Sequence, residues 1–273
     1  MSIISSSVAC VSVLIPAYNE ETTIESVLLR VLDQAVVKEI IVIDDGSTDK
    51  TVENAQKVID SRIRIIRQGT NHGKTAAIAR GVKAASGAVI IIQDADFEYD
   101  PSEIPLVVGP ILEGYADVVY GSRFLVRRAA RVVYFYHYVA NRFLTLCSNF
   151  LTNLNLTDIE TGYKAFRAEV LKGMPFKSSG FGMEVEITAS IAQLPLRIYE
   201  VPISYYGRTY DEGKKIGLRD GIAAIGYIAW FNGLERYSSE RRAFRASVRR
   251  LIESRVEATR LEGCEPPSGR ASS

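Results

Sequence analysis

The chain has 273 residues, 47% hydrophobic and 24% charged, enough for one large globular domain or at most two. Lys and Arg total 33 against 32 Asp and Glu, a formal charge of +1. That balance argues against coating nucleic acid through bulk charge and leaves open only a local basic patch.

In chain order, Val11 to Ile15 reads as a short strand, and Glu20 to Asp33 as a helix with Ile24, Val27, Leu28 and Val31 on one face. Ile40 to Ile43 is a second buried strand. Thr48 and Asp49 mark the start of a helix through Val52, Ala55 and Val58. Ile63 to Ile66 is a third strand, and Lys74 to Ala85 an Ala-rich helix. Ala88 to Ile92 is a fourth strand, apolar on both faces. A helix at 102–113 and a strand at 117–120 follow. Strands alternating with amphipathic helices predict βαβ units and a largely parallel sheet. Ligands of such sheets bind at the carboxyl ends of the strands.

The residues after each strand are therefore the informative ones. The first strand leads into Pro16-Ala17-Tyr18-Asn19-Glu20, the second into Asp44-Asp45-Gly46-Ser47-Thr48-Asp49, the third into Asn71-His72-Gly73-Lys74, and the fourth into Asp94-Ala95-Asp96. Asp-Asp-Gly-Ser alone reads equally as a turn plus a helix cap. Gly73-Lys74 lacks the spacing of a Walker phosphate loop. Asp94 and Asp96 carry the strongest chemistry, because two close carboxylates ending an apolar strand repel each other unless a cation joins them. Hard oxygen ligands at i and i+2 suit Mg²⁺ or Mn²⁺ with a substrate phosphate, although two solvated loop acids are the plainer reading.

In this order and at these spacings, the four strand ends resemble those of the family 2 glycosyltransferases, from about Val11 to Tyr237. The implied fold is α/β of the GT-A type: a Rossmann-like, nucleotide-sugar-binding domain with a mostly parallel central sheet flanked by helices. Gly121-Ser122-Arg123-Phe124, Thr157-Asp158-Ile159-Glu160-Thr161-Gly162-Tyr163-Lys164, Tyr206-Gly207-Arg208 and Gly213-Lys214-Lys215-Ile216 are similar to the polyprenyl-phosphate (dolichyl-phosphate) mannosyl- or glucosyltransferase branch. The resemblance implies an inverting, metal-dependent enzyme. It would move mannose or glucose from a nucleotide sugar, GDP-mannose or UDP-glucose, to a polyprenyl phosphate.

Roles follow from the resemblance residue by residue. Pro16, Tyr18 and Glu20 would line the nucleotide pocket, with Tyr18 packing on the base. Asp45 would bond the base edge, and Lys74 would sit near the nucleotide. Asp94 and Asp96 would hold Mg²⁺ or Mn²⁺ on the diphosphate. Glu98 stands where many lipid-phosphate synthases have Gln, as a third metal ligand or a solvated acid. Thr75 departs from a frequent Gly. Arg123 and Arg131 would bind the acceptor phosphate, and Arg208 would lie on a loop before the C-terminal helices, with Arg127 and Arg128 as further candidates. Asp158 and Glu160 would orient the acceptor loop or bind its arginines rather than act as bases, since a phosphate acceptor is already ionised. A soluble acceptor, a non-catalytic lipid- or nucleotide-binding relative and a nucleotidyltransferase are the rival readings. The last lacks its Gly-rich loop.

From Gly121 to Thr157 there is no acid, while five arginines and seven Phe or Tyr residues are present. That composition suits an anionic partner: a lipid phosphate at a membrane surface, or bases stacked on aromatics. An aromatic-cored helix pair with solvated arginines is the plain alternative. The resemblance favours lipid phosphate and no nucleic acid. His72 and His137 read as structural. Downstream, Phe244, Val248, Leu251, Ile252 and Val256 alternate with Arg241, Arg242, Arg245, Arg249 and Arg250 as a basic amphipathic helix, either a peripheral membrane anchor or a helix packed on the body. The expected organisation is a catalytic domain at 1–237, this tail at 238–262 and a disordered end at 263–273.

Cys10, Cys147 and Cys264 form no disulfide framework or zinc pair. No Lys or Arg precedes Arg30, and the longest uncharged stretches are shorter than the roughly 20 mostly apolar residues of a spanning helix and carry Ser, Asn and Thr. A cytoplasmic protein, or one peripheral on the cytoplasmic face of a membrane, is expected.

Overall fold

A computed structural model describes residues 9–125, 134–179, 182–207 and 218–261. Seven strands make one sheet: β1 (Val11–Ala17), β2 (Val37–Asp44), β3 (Ile63–Arg67), β4 (Val89–Ile92), β5 (Val118–Ser122), β6 (Lys164–Arg167) and β7 (Ile198–Pro202), in the order β3-β2-β1-β4-β6-β5-β7. All neighbours are parallel except β6, which runs antiparallel to both β4 and β5. The first residue of β6, Lys164, thus lies at the edge where the parallel strands end.

The side-chain period of two sends alternate strand residues to opposite faces. Leu14, Ile41, Ile43, Ile90 and Ile92 enter one core cluster, with Ala77 and Ile78 of α3 (Lys74–Ala84). Val13, Ile15, Ile40, Val42 and Ile91 enter the other. There they meet Val27 and Leu28 of α1 (Ile24–Leu32), Ala55 of α2 (Thr51–Lys57) and Val107 and Val108 of α4 (Ile104–Leu112). Strands covered on both faces read as continuous apolar runs, which is why they were legible. Asp49 accepts the Thr51 amide at 2.9 Å, so the expected helix start is a side-chain turn just ahead of α2, whose capping position is Lys50. Predicted helix 102–113 is a 3₁₀ turn at Pro101–Glu103 leading into α4.

The remaining helices are α5 (Phe135–Thr152), α6 (Ala168–Lys172), α7 (Met183–Ile191), α8 (Leu218–Asn232) and α9 (Ser239–Leu261). Every residue of α7 is buried, Glu184 and Glu186 included. The amphipathic tail forms as α9. Phe244 and Val248 are buried in the core cluster, and Ile252 packs against it. Arg241, expected on the polar side, is instead buried and ion-paired with Glu186. Val256 lies outside the described side chains.

Candidate active site

Sheet polarity gathers the loops after β1, β2, β4 and β5 at one edge. The strand order turns outward in both directions from β1 and β4, which makes the crevice where such sheets bind ligands. Asp94 follows β4. Its Oδ1 lies 2.7 Å from Lys74 Nζ at the first turn of α3, and Glu184 Oε1 stands 3.7 Å from the same nitrogen. Burial alone would push the Lys74 amine down, but Asp94 and Glu184 reverse that and hold it well above the usual lysine range.

Gly162 explains part of the Thr161-Gly162-Tyr163-Lys164 motif. A Cβ there would stand 2.7 Å from Asp94 Oδ2 and 3.3 Å from Lys74 Nζ. The missing side chain keeps the acidic pocket open. The Gly162 amide donates to the Tyr99 hydroxyl at 2.9 Å, and Tyr99 stacks on Tyr163 with centroids 5.3 Å apart. Lys164 is buried and donates to the carbonyls of Ile159 and Thr161, bracing the loop from below. Burial brings its amine down to about 8. Glu160 is pushed up to about 8, by burial first and by the Glu184 carboxylate next.

Arg123 follows β5. Its Nε and Nη2 donate to Asp158 at 2.6 and 2.7 Å, and its own amide donates to the same carboxylate. Asn141 of α5 adds a bond at 3.2 Å. Asp158 is fully buried, so its desolvation is offset by this bidentate pair. Arg123 also lies over the Tyr205 ring at 5.0 Å. As expected, Asp158 binds an arginine of this loop.

On the β1 and β2 side, Asp45 has both oxygens engaged. The Gln68 side chain and the His72 amide donate to Oδ1 at 2.9 and 2.8 Å, and the Gly73 amide to Oδ2 at 2.7 Å. Asp45 therefore holds the loop that delivers Lys74, a duty its expected base contact did not include. Gly46 sits at φ +77°, and a Cβ there would stand 2.7 Å from the Thr70 backbone, which accounts for glycine in the Asp-Asp-Gly turn. Tyr18 is half exposed at the crevice rim, Pro16 is partly buried, and Glu20 Oε2 accepts from Thr23 at 3.1 Å. Asn19 holds αL geometry, and its side chain accepts from the Thr48 amide at 2.9 Å, tying the first loop to the second.

The donor set suits a hard divalent ion. Asp94 offers a carboxylate oxygen beside the space that Gly162 leaves open, and Asp96 follows it two residues on. Glu98 does not complete a triad. Tyr205 Oη donates to its Oε2 at 3.1 Å, and among the described residues no three His, Cys, Asp or Glu side chains are placed to share a metal. Its backbone amide instead donates to Asp96 Oδ1 at 3.1 Å, steadying the second carboxylate. Arg127, Arg128, Arg131, Arg208 and Gly213-Lys214-Lys215-Ile216 lie outside the described residues.

Glu184, Tyr99 and Tyr205 are site residues that the sequence reading missed. Glu184 had one signal: two acids at i and i+2 in a segment otherwise uncharged. Its Oε2 is buried without a hydrogen-bond partner, an arrangement rare in a folded protein unless a ligand or water completes it.

A family model, Glycosyl transferase family 2, matches residues 12–174. The chain belongs to this family. This glycosyltransferase is 32% identical over 76% of its length to dolichol-phosphate mannosyltransferase of Pyrococcus furiosus, of which the match spans 59%. It is 29% identical over 80% of its length to undecaprenyl-phosphate mannosyltransferase of Micrococcus luteus, of which the match spans 92%. Glucosyl-3-phosphoglycerate synthase of Mycobacterium tuberculosis, solved with Mn²⁺, uridine diphosphate and phosphoglyceric acid, superposes with a TM-score of 0.62 at 26% identity. That superposition covers 82% of this chain and 79% of the other. The fold is GT-A, as expected.

Proposed function

We propose that this glycosyltransferase moves a hexose from a nucleoside diphosphate sugar to a polyprenyl phosphate, with inversion at the anomeric carbon. The observation that carries the reading is the Asp94–Lys74–Glu184 cluster at the carboxyl edge of the sheet, with Arg123 at the end of β5. Two relatives named for dolichol phosphate and undecaprenyl phosphate support the acceptor class.

The roles follow from charge and position. Tyr18 and Pro16 flank the base, and Asp45 fixes the loop that presents Lys74. A Mg²⁺ or Mn²⁺ held by Asp94 and Asp96 would supply Lewis-acid neutralisation of the leaving diphosphate. Lys74, paired with Asp94 and Glu184, gains a third anionic partner when the diphosphate arrives. Glu184, with an unpartnered oxygen in the same pocket, accepts hydroxyls of the hexose and so orients the anomeric carbon. The acceptor phosphate has a second pKa of about 6, so it attacks as a dianion and needs no general base. Arg123, joined by Arg131 and Arg208, screens that charge. Asp158 aims Arg123, and Glu160 supports the loop.

A phosphorylated soluble acceptor is the second reading. One observation favours it: the superposable synthase was solved with phosphoglyceric acid. Labelled GDP-mannose and UDP-glucose offered with undecaprenyl phosphate or 3-phosphoglycerate, with and without Mn²⁺, test both. Label extracted into butanol with the lipid supports the first reading. Label only on phosphoglycerate replaces it with the second.

A further inference from the structure

Two carboxylates sit in the first turn of α7, and only one of them faces the candidate active site. Glu184 stands 3.7 Å from Lys74 Nζ. Glu186 follows two residues later, about 200° further round the helix axis, and is fully buried. Its carboxylate accepts the amides of Lys177 and Ser178, both at 2.8 Å, and a bond from Arg241 of α9. A second arm of the Arg241 guanidinium donates to Ser190 Oγ, one turn along α7 from Glu186. Ser190 Oγ in turn donates to the Glu186 carbonyl at 2.6 Å. The same guanidinium lies over the Phe231 ring of α8, 5.1 Å from its centroid. Among the described arginines of α9, Arg241 alone is buried.

Replacing a buried ion pair by well-packed apolar side chains often costs nothing, so stability alone does not account for Arg241. What the pair fixes is geometry. A planar guanidinium with one arm on Glu186 and another on Ser190 sets both the roll and the height of α7 against α9. Glu184 is part of the same rod, so its reach toward Lys74 depends on that grip. The Thr188 hydroxyl, one turn beyond Glu184, meets the Tyr120 hydroxyl of β5 at 2.9 Å and holds the helix from the sheet side. A second connection leaves from Glu186. It holds the Ser178 amide, and the Ser178 hydroxyl meets that of Thr75 at 3.3 Å, with both residues buried. Thr75 follows Lys74 directly and stands where glycine is frequent, so this chain has a side chain there to be held.

We propose, on the reading of Lys74 and Glu184 as donor-site residues, that Arg241 is a positioning residue for that site. It acts through Glu186 to aim Glu184, and through Ser178 and Thr75 to seat Lys74. It touches neither substrate nor reacting atoms. Helix α9 thus completes the catalytic body, and its contribution is not limited to the apolar burial of Phe244 and Val248.

Kinetics of Arg241→Lys, Arg241→Met and Thr75→Val in the full chain, each well below its own Tm, test this beside Val248→Ala. That control loosens α9 in the core and leaves Arg241 in place. With undecaprenyl phosphate saturating, Arg241→Lys lowers kcat/KM for the nucleotide sugar about tenfold and Arg241→Met about a hundredfold, the order of loss that a displacement of roughly 1 Å brings. KM for undecaprenyl phosphate moves by less than about twofold. Thr75→Val removes the hydroxyl at nearly constant shape and weakens binding of bare GDP or UDP, read by calorimetry, about threefold. Val248→Ala lowers Tm yet keeps the native kcat/KM. Amide hydrogen exchange at 177–186 quickens about tenfold in Arg241→Lys and stays native in Val248→Ala. Native kcat/KM in Arg241→Lys, or equal losses in Arg241→Lys and Val248→Ala, overturn the proposal and leave Arg241 purely structural. If Arg241→Met does not fold, Arg241→Lys and Thr75→Val decide. If the native chain transfers no hexose to any prenyl phosphate, the acceptor reading fails by itself, and nucleoside diphosphate affinity with exchange decides the positioning in the same way.

Discussion

The guanidinium of Arg123 grips the carboxylate of Asp158 through two side-chain bonds of 2.6 and 2.7 Å, joining the end of β5 to the loop before β6. Burial favours neutral Asp158, but Arg123 overcomes it and holds the carboxyl below the usual range. Arg123 is thus structural as well as the proposed ligand of the acceptor phosphate. Arg123→Ala is expected to weaken the acceptor and also to lower stability by about 3–5 kcal/mol, because it strands a buried charge. Asp158→Asn should leave Arg123 in place but loosely aimed, raising acceptor KM with a smaller Tm loss. Kinetics with thermal melts separate the two. Equal Tm for Arg123→Ala and the native chain would contradict the buried pair.

Asp94→Asn and Asp96→Asn are each expected to abolish transfer, and EDTA to do the same to the native chain. Asp94→Asn also removes a counter-charge from Lys74, so it should weaken nucleotide binding less than it slows turnover. Calorimetric titration with the nucleoside diphosphate, beside turnover assays, reads both. Full activity in excess chelator would remove the metal from the mechanism.

Glu184→Gln keeps the side-chain size but replaces the carboxylate that faces Lys74. Loss of charge-assisted bonds to sugar hydroxyls should cost about 1.5–3 kcal/mol in kcat/KM. Binding of the bare nucleoside diphosphate should be unchanged, because that ligand has no hexose. A parallel loss of nucleoside diphosphate affinity would place Glu184 at the phosphates instead.

Asp117, at the far end of β5, accepts from Arg167, Arg197 and Arg255. Burial pushes its carboxyl up, yet bonds from Arg197 and then Arg255 bring it down to about 2. A depressed carboxyl stabilises the fold above its unfolded value of 3.8, and that stability is lost as pH falls toward 2. The contribution is about 2 kcal/mol. Native protein should therefore lose Tm between about pH 4 and 2, and Asp117→Asn should lack that component of the acid limb. Identical acid limbs would refute it.

Truncation before Ser239 is expected to lower Tm by roughly 10 °C or more, since it removes Phe244 and Val248 from the core and leaves Glu186 without Arg241. A differential scan decides. An unchanged Tm would return α9 to the role of a detachable tail.

The sequence alone determined the first half of the fold and the carboxyl-edge loops. Apolar strands buried on both faces carry a local signal, and Asp45, Lys74, Asp94 and Asp96 each follow one of them in the chain. It was enough to predict that Asp158 binds an arginine. Tertiary structure decided what has no local signature. The four-residue β6 runs antiparallel and is recognisable only by its partners, Ile90 with Phe166 and Tyr120 with Lys164. Glu184 reaches Lys74 across 110 residues only because buried α7 and α3 contribute to the same core cluster. Glu98 fits a metal triad by spacing, but among the described residues no three acids are placed to share a metal, and its carboxylate accepts from the Tyr205 hydroxyl. The same hydrophobic periodicity marks α5 and α9, yet packing buries the stripe of α9 and leaves that of α5 facing outward. Periodicity fixes which residues share a face, while the direction that face takes is set by the rest of the molecule.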